Sequence, residues 1–209
     1  MVKYVLHYLK ANGRGESIRL AFVLAGVDFE EVNVEFSEWE KTRDRFPTRF
    51  VPVLEVDGKM LSQSKAILRY LAQEFGLYGK TNLEAAFIDQ AIDMVEDIWA
   101  AANRIFDGLD VVLKAKAELF LREIIPSIYA SLERLLALEV AGDFFVGNSI
   151  TAADLFFFGA VDFVNVLSRG ANSLEKFPKL DALRRRIAAN PRIAARLATR
   201  PPEASFTEK

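Results

Sequence analysis

The chain has 209 residues, 51% of them hydrophobic, with 27 Lys or Arg against 29 Asp or Glu and a net charge of -2. That balance suits a globular protein with a sizeable core, and it gives no broad attraction to nucleic acid or to an anionic membrane. With no cysteine and one histidine, disulfides, thiolate metal sites and a thiol nucleophile carried by the chain are excluded, and a His-dependent triad or multi-histidine metal site is disfavoured.

The N-terminus, MVKYVLHYLK, has neither the apolar core nor the small-residue cleavage site of a signal peptide. No apolar run reaches the roughly 18 residues of a membrane span. A cytoplasmic location is therefore expected. Residues 3–9, KYVLHYL, are β-rich. A helix is expected over 17–26, where apolar residues recur and Gly26 marks the end. FEEVNVEF (29–36) alternates like a half-buried strand, and EWEKTRDRF reads as a short charged helix or loop. VPVLEVDGKML (51–61) reads as two strands joined by Asp57-Gly58, a strong hairpin signal. SQSKAILRYLAQEFG (62–76) is an amphipathic helix with Ile67, Leu68, Leu71 and Phe75 on one face.

After Gly79 the pattern becomes helical, with loops expected at Gly108, Gly142, Gly170 and Pro178. Residues 84–110 carry seven acids against Arg104 alone, and the chain from Lys179 onward carries eight Lys or Arg against three acids. The Gly, Thr and Asn of GLYGKTNLE mark a boundary. The expected organisation is α+β with two domains: a β-α-β-α-β-β-α domain over 1–79 and an all-helical domain over 80–209.

Pro52 at the start of a strand gives up no ladder bond. In this order of elements it resembles the proline of a thioredoxin-like domain, where the bond before it is cis. No CxxC or CxxS accompanies it, so on that reading the thiol arrives with the ligand. Ser62, Gln63 and Ser64 stand at a helix start, where free N–H groups and the helix dipole favour anions. SITAADLFFF reads as a capping box, with Thr151 at the cap and Asp154 three residues on, which is a structural role. Arg184–Arg186, Arg192, Arg196 and Arg200 read as a solvated basic face, because no aromatic residues interleave them. His7 is expected to face opposite Tyr8 and to belong to the core.

The stretch VPVLEVDGK followed by LSQSKAILRYLA closely resembles the glutathione-site signature of cytosolic glutathione transferases. YVLHYLKANGRGESIRLAF fits the same family, and FFVGNSITAADLFFF resembles the folding motif of its helical domain. Tyr8, Trp39, Gln63-Ser64 and Asp97 point to the sigma class, which includes glutathione-dependent prostaglandin D synthases and many invertebrate transferases.

The resemblance implies a residue-by-residue site. Tyr8 matches the tyrosine that donates to glutathione sulfur, and Arg14 the arginine that packs by that ring and adds positive field, with Gly13 and Gly15 giving it room. Trp39 and Arg43 match contacts to the glycine carboxylate. Val51, before Pro52, matches the backbone partner of the cysteinyl residue, and Gln63 and Ser64 match the holders of the γ-glutamyl carboxylate. Phe50 departs from the family's usual lysine or glutamine; either Arg49 compensates or that contact is missing. Asp97 matches a residue that reaches the partner subunit's glutathione in a homodimer. Asp93, Glu96 and Asp97 match a Ca²⁺ or Mg²⁺ site between subunits of the prostaglandin D synthases.

Asp89, Asp93, Glu96 and Asp97 share one helical face, so this face wants a cation or a basic partner. Leu9, Ala11, Trp99, Arg104 and the C-terminal stretch are expected to line the cleft for a small hydrophobic electrophile. The implied activity is conjugation of glutathione to such electrophiles, with reduction of organic hydroperoxides, in detoxification. A glutathione-dependent prostaglandin-H₂ isomerase and a non-enzymatic, crystallin-like or ligand-carrying relative are the alternatives.

Overall fold

The computed structural model describes residues 2–106, 117–138 and 142–200. Its strands all lie in the first third of the chain. They form one four-stranded mixed sheet in the order β2-β1-β3-β4, from β1 (Tyr4–Leu9), β2 (Glu30–Val34), β3 (Val53–Val56) and β4 (Lys59–Ser62). β1 runs parallel to β2 and antiparallel to β3, and β3 pairs antiparallel with β4. Asp57 and Gly58 turn the β3–β4 hairpin with φ of 47° and 83°, the left-handed pair that a tight hairpin turn demands.

The first helix, α1 (Gly13–Ala25), starts four residues before the expected Ser17. Its apolar rhythm begins only at Ile18, and the first turn, Gly-Arg-Gly-Glu, is poor in helix formers and so gives no such signal. EWEKTRDRF forms short helical turns, including α2 (Trp39–Thr42). α3 (Ser64–Glu74) buries Ile67, Leu68 and Leu71 completely, as its spacing predicts.

The remaining elements are helices: α4 (Asn82–Phe106), a π-helical turn at Phe120–Ile124 leading into α5 (Ile125–Leu138), α6 (Ala152–Leu167), α7 (Pro178–Ala188) and α8 (Pro191–Thr199). The loops expected at Gly142 and Gly170 fall between these helices, Pro178 is instead the first residue of α7, where its missing N–H costs nothing, and Gly108 lies outside the described residues. α6 is apolar almost all round and is buried from Ala152 to Val164, as a helix at the centre of a core must be. It packs on both α1 and α4, so the main core runs from the sheet-bound helices into the helical part.

Asp154 caps α6 as expected. Its carboxylate accepts from the Thr151 N–H and hydroxyl, both at 2.7 Å, and from the Phe145 N–H at 3.0 Å. On the far side of the sheet His7 packs against Phe46 in a small second cluster with Val34 and Val53, the core role expected for it.

Candidate functional site

Side chains alternate along β1, so Tyr4, Leu6 and Tyr8 share one face. Tyr8 is the last of these and is 8% exposed. In the ladder His7 lies opposite Val53, and Val53 opposite Ser62. One step further along, the same register sets Tyr8, Pro52 and Gln63 in a row at one end of the sheet. The Val51–Pro52 bond is cis. Gln63 has φ 77° and is exposed, and Ser64 opens α3 with its side chain buried.

The GRG sequence belongs to the tyrosine. A Cβ on Gly13 would stand 2.6 Å from the Tyr8 hydroxyl, and one on Gly15 would stand 2.5 Å from the ring. The two glycines therefore let the first turn of α1 lie directly against the phenol, rather than making room for Arg14. Pressed there, the Arg14 main-chain N–H donates to the Tyr8 hydroxyl oxygen at 2.9 Å. A hydroxyl that accepts such a bond is polarised into a better donor through its own proton.

The Arg14 side chain is placed differently from the expectation. Its guanidinium makes a two-pronged pair with Glu96 at 2.8 and 2.7 Å and lies over the Trp99 ring at 5.1 Å. The guanidinium over the Tyr8 ring, 5.5 Å from its centre, is that of Arg19. Arg19 escaped the sequence reading. Its one signal was a Glu16–Arg19 pair three residues apart in a helix that is otherwise apolar on that side.

The other expected residues fall as follows. Trp39 is half-buried and stacked on Phe46 at 6.1 Å. Arg43 pairs with Glu40 at 3.1 Å. Phe50 is 70% exposed, and Arg49 is engaged with Asp44 at 2.7 Å. Leu9 and Ala11 are half-buried beside Tyr8 in the chain, while Arg104 is exposed near the end of α4. Trp99 is 5% exposed, and its indole N–H is buried without a partner among the described residues. The C-terminal stretch beyond Arg200 lies outside the described residues.

The acidic face of α4 meets its basic partner within the same chain. Asp89 accepts from Arg69 at 2.5 Å and from the Tyr78 hydroxyl at 2.7 Å, and Asp93 accepts from Lys65 at 2.8 Å. Glu96 thus gives both oxygens to Arg14, and Asp93 gives one to Lys65 and Arg69. Among the described residues no three His, Cys, Asp or Glu are grouped so as to hold a metal. Asp97 points outward and is exposed.

The expected solvated basic face is corrected for Arg184, Arg196 and Arg200, while Arg185 is exposed as expected. Arg184 and Arg200 grip Asp162, and Arg196 and Arg200 grip Glu16, whose side chain is 1% exposed. Burial pushes the Glu16 carboxyl up, but Arg196, Arg19 and Arg200 together outweigh that and hold it below its ordinary value.

Family models for the N-terminal and C-terminal domains of glutathione S-transferases match residues 4–73 and 96–200. The chain is 38% identical over 208 residues to hematopoietic prostaglandin D synthase of Gallus gallus, covering 96% of this chain and 98% of that one. It is 36% identical to S-crystallin 4 of Enteroctopus dofleini over 212 residues, with the same shares covered. Among solved structures, prostaglandin synthase D of Nilaparvata lugens superposes with a TM-score of 0.87 at 29% identity, covering 96% of this chain and 99% of that one. NaGST-2 superposes with a TM-score of 0.85 at 31% identity, covering 99% and 100%. A thioredoxin-like sheet domain joined to a helical domain, matched over nearly its whole length in sequence and in structure, places this chain in the glutathione S-transferase family, as a transferase of that family.

Proposed function

We propose that this transferase, of the sigma class, joins the thiolate of glutathione to small hydrophobic electrophiles and reduces organic hydroperoxides, working in the cytoplasm as a homodimer. The observation that carries the reading is the Tyr8 hydroxyl, held by the Arg14 N–H at one end of the sheet and in a row with Pro52 and Gln63. Glutathione lies along that row. Its γ-glutamyl carboxylate meets Gln63 and the start of α3, its cysteinyl backbone meets Val51, and its glycine end meets Trp39 and Arg43. A free thiol ionises near pH ~8.5, so little is thiolate at neutral pH. The Tyr8 O–H donates to sulfur and favours the anion, and each unit of lowering corresponds to about 1.4 kcal/mol. The electrophile meets that sulfur beside Leu9, Ala11, Trp99 and Arg104. The rest of the protein's contribution is positioning.

The dimer reading is supported by α4. Leu83 and Phe87 stand one turn apart and are 64% and 47% exposed, on the side that also carries Asp97. There Asp97 reaches the glutathione of the partner subunit. A sedimentation mass of one 23.5 kDa chain at micromolar concentration would overturn the dimer. With the dimer intact, Asp97→Asn weakens glutathione binding and leaves thermal stability unchanged; unaltered affinity would remove Asp97 from the site.

Tyr8→Phe is the central test. It removes one hydroxyl and keeps the ring, so folding and glutathione binding persist. A hydrogen bond to a charged group is worth ~1.5–3 kcal/mol. The thiol pKa should therefore rise by about one to two units, and turnover of an aryl halide at neutral pH should fall roughly ten- to a hundredfold. Higher pH restores part of the rate. A wild-type rate with an unshifted pH profile would mean that sulfur is activated elsewhere. A second reading, isomerisation of prostaglandin H₂ with glutathione recycled, is favoured by the 38% identity to a prostaglandin D synthase. Assaying glutathione with a chloronitrobenzene, an organic hydroperoxide and prostaglandin H₂ separates the two.

A further inference from the structure

We infer that Arg19 is the positioning residue of the Tyr8 phenol: it fixes the ring, closes the turn that brings the Arg14 N–H to the hydroxyl, and supplies positive field from beneath the site. The inference rests on the reading of Tyr8 as the donor to sulfur, and adds to it a residue with no surface of its own in the cleft.

Three observations converge on Arg19. Its guanidinium lies over the Tyr8 ring, 5.5 Å from the centre. Its Nη1 donates to the Ala11 and Asn12 carbonyls at 3.0 and 3.3 Å. Those carbonyls belong to the turn between β1 and α1, which delivers Gly13, Arg14 and Gly15 against the phenol. Finally, Arg19 is itself held from two sides. Its Nε and Nη2 donate to one oxygen of Glu31 on β2 at 2.8 and 2.5 Å, and Nη1 donates to Glu16 at 3.3 Å.

The holding continues into the helical part. Glu16 is fully buried and receives Arg196 at 3.1 Å and Arg200 at 3.2 Å from the end of the chain. Arg200 also donates to Asp162 on α6 at 2.5 Å, and Arg184 donates to the other oxygen at 2.8 Å. Four guanidinium groups thus face three carboxylates in one connected network, of which Arg19 is the member against Tyr8. Apolar packing of the same volume holds a fold at least as well as buried ion pairs do, so a buried charge network is weak evidence of a purely stabilising role. A charge beneath an aromatic ring withdraws electron density from it and makes its O–H a stronger donor. The Arg14 guanidinium is placed elsewhere, over the Trp99 ring and against Glu96.

The role is tested by the ionisation of the bound glutathione thiol, read from thiolate ultraviolet absorbance against pH, beside the pH profile of kcat/KM with an aryl halide. Arg19→Lys keeps a positive charge but cannot bond two carbonyls and a carboxylate fork together. It should raise the thiol pKa by about half to one unit and lower kcat roughly three- to tenfold at neutral pH, with KM for glutathione changing less than about twofold. In a Tyr8→Phe background the same change should add nothing to the pKa, because Arg19 acts through the phenol. Glu31→Gln should move the thiol the other way, down by about 0.2–0.5 unit: the amide oxygen still accepts from Arg19, while the charge that offsets it is gone.

A role confined to folding would change melting temperature and leave these pKa values unmoved, which would overturn the inference. So would an Arg19→Lys shift of equal size with and without the Tyr8 hydroxyl. If Arg19→Lys does not fold, Glu31→Gln decides alone, a fall supporting the inference and a constant or raised pKa overturning it. An unshifted thiol in Tyr8→Phe would instead sink the reading of Tyr8 itself. A shift there with none in Arg19→Lys sinks only the inference.

Discussion

The sheet domain meets the helical part along two charged seams of opposite polarity. At one, acids on α4 face cations of the sheet domain: Asp89, Asp93 and Glu96 against Arg69, Lys65 and Arg14. At the other, arginines of α7 and α8 converge on Glu16 of α1 and Asp162 of α6. The polarity is reversed, and so is the solvent. Asp93 is 59% exposed and Lys65 30%, whereas Glu16 is 1% exposed. Water screens the Lys65–Asp93 pair of the first seam, so that pair is individually weak. The carboxylates of the second, Glu16 and Asp162, have almost no water to fall back on and depend on their guanidinium partners. Tyr8 sits between them, with the Arg14 main chain at its hydroxyl and Arg19 at its ring.

Removing one partner from the buried seam should have the largest effect. Glu16→Gln keeps the shape but leaves Arg19, Arg196 and Arg200 without their shared anion. Breaking a buried pair in this way costs about 3–5 kcal/mol. Urea denaturation should show that loss; a change under about 1 kcal/mol would mean that Asp162 and Glu31 suffice to hold the arginines.

Acid should separate Glu16 from a second buried carboxylate that has no cation among the described residues. Asp154, at the cap of α6, is fully buried and is held by two N–H groups and a hydroxyl. Burial pushes its pKa up to about 6, although those hydrogen bonds pull the other way. The Glu16 pKa lies below its ordinary 4.5. The signs are therefore opposite. Stabilisation from Glu16 is present above 4.5 and is lost as pH falls through the folded value. Stabilisation from protonated Asp154 is present below 3.8 and is lost as pH rises through about 6. The penalty of Glu16→Gln should shrink as pH falls below 4.5, and that of Asp154→Asn should shrink, by about 2–3 kcal/mol, as pH rises from 4 to 6.5. Parallel trends in the two variants would mean that burial alone, and not the neighbouring guanidinium groups, sets both groups.

The contrast between the seams also marks what the sequence made legible. Local signals survived: Asp57-Gly58 is the hairpin, Thr151 and Asp154 are the cap, and the apolar spacing of α3 is its buried face. The residues of the Tyr8, Pro52 and Gln63 row were legible because each stands at the end of an element that local pattern defines. The charged residues were not. Arg196 and Arg200 read as a solvated face because their partner, Glu16, stands 180 and 184 positions earlier. An acid–base pair that far apart leaves no periodicity to detect. Separations of 24 to 82 positions likewise hid the partners of Asp93 and Glu96, the basic groups that a helix face with four carboxylates calls for. Asp162 did carry a local signal, one carboxylate within the apolar run of α6, and a buried charge in such a run implies a cation from elsewhere.

The smallest effect is expected at the exposed seam, and it sharpens the comparison most. Asp93 is held below its ordinary pKa by its hydrogen bond to Lys65, against a modest contribution from burial, and Arg69 adds to the lowering. Yet Lys65 and Asp93 both reach water, and a pair so placed contributes about 0.2–1 kcal/mol. Asp93→Asn should therefore cost no more than that, and the cost should disappear as salt is raised toward about 1 M, where the screening length falls to about 3 Å. The Glu16→Gln penalty should persist in the same salt, because ions cannot enter a buried cluster. Measured side by side in low and high salt, the two variants separate screened from unscreened charge within one protein. A salt-independent Asp93→Asn penalty of several kcal/mol would mean that the α4 seam closes more tightly in solution than its exposure implies, and that both seams hold the site with equal force.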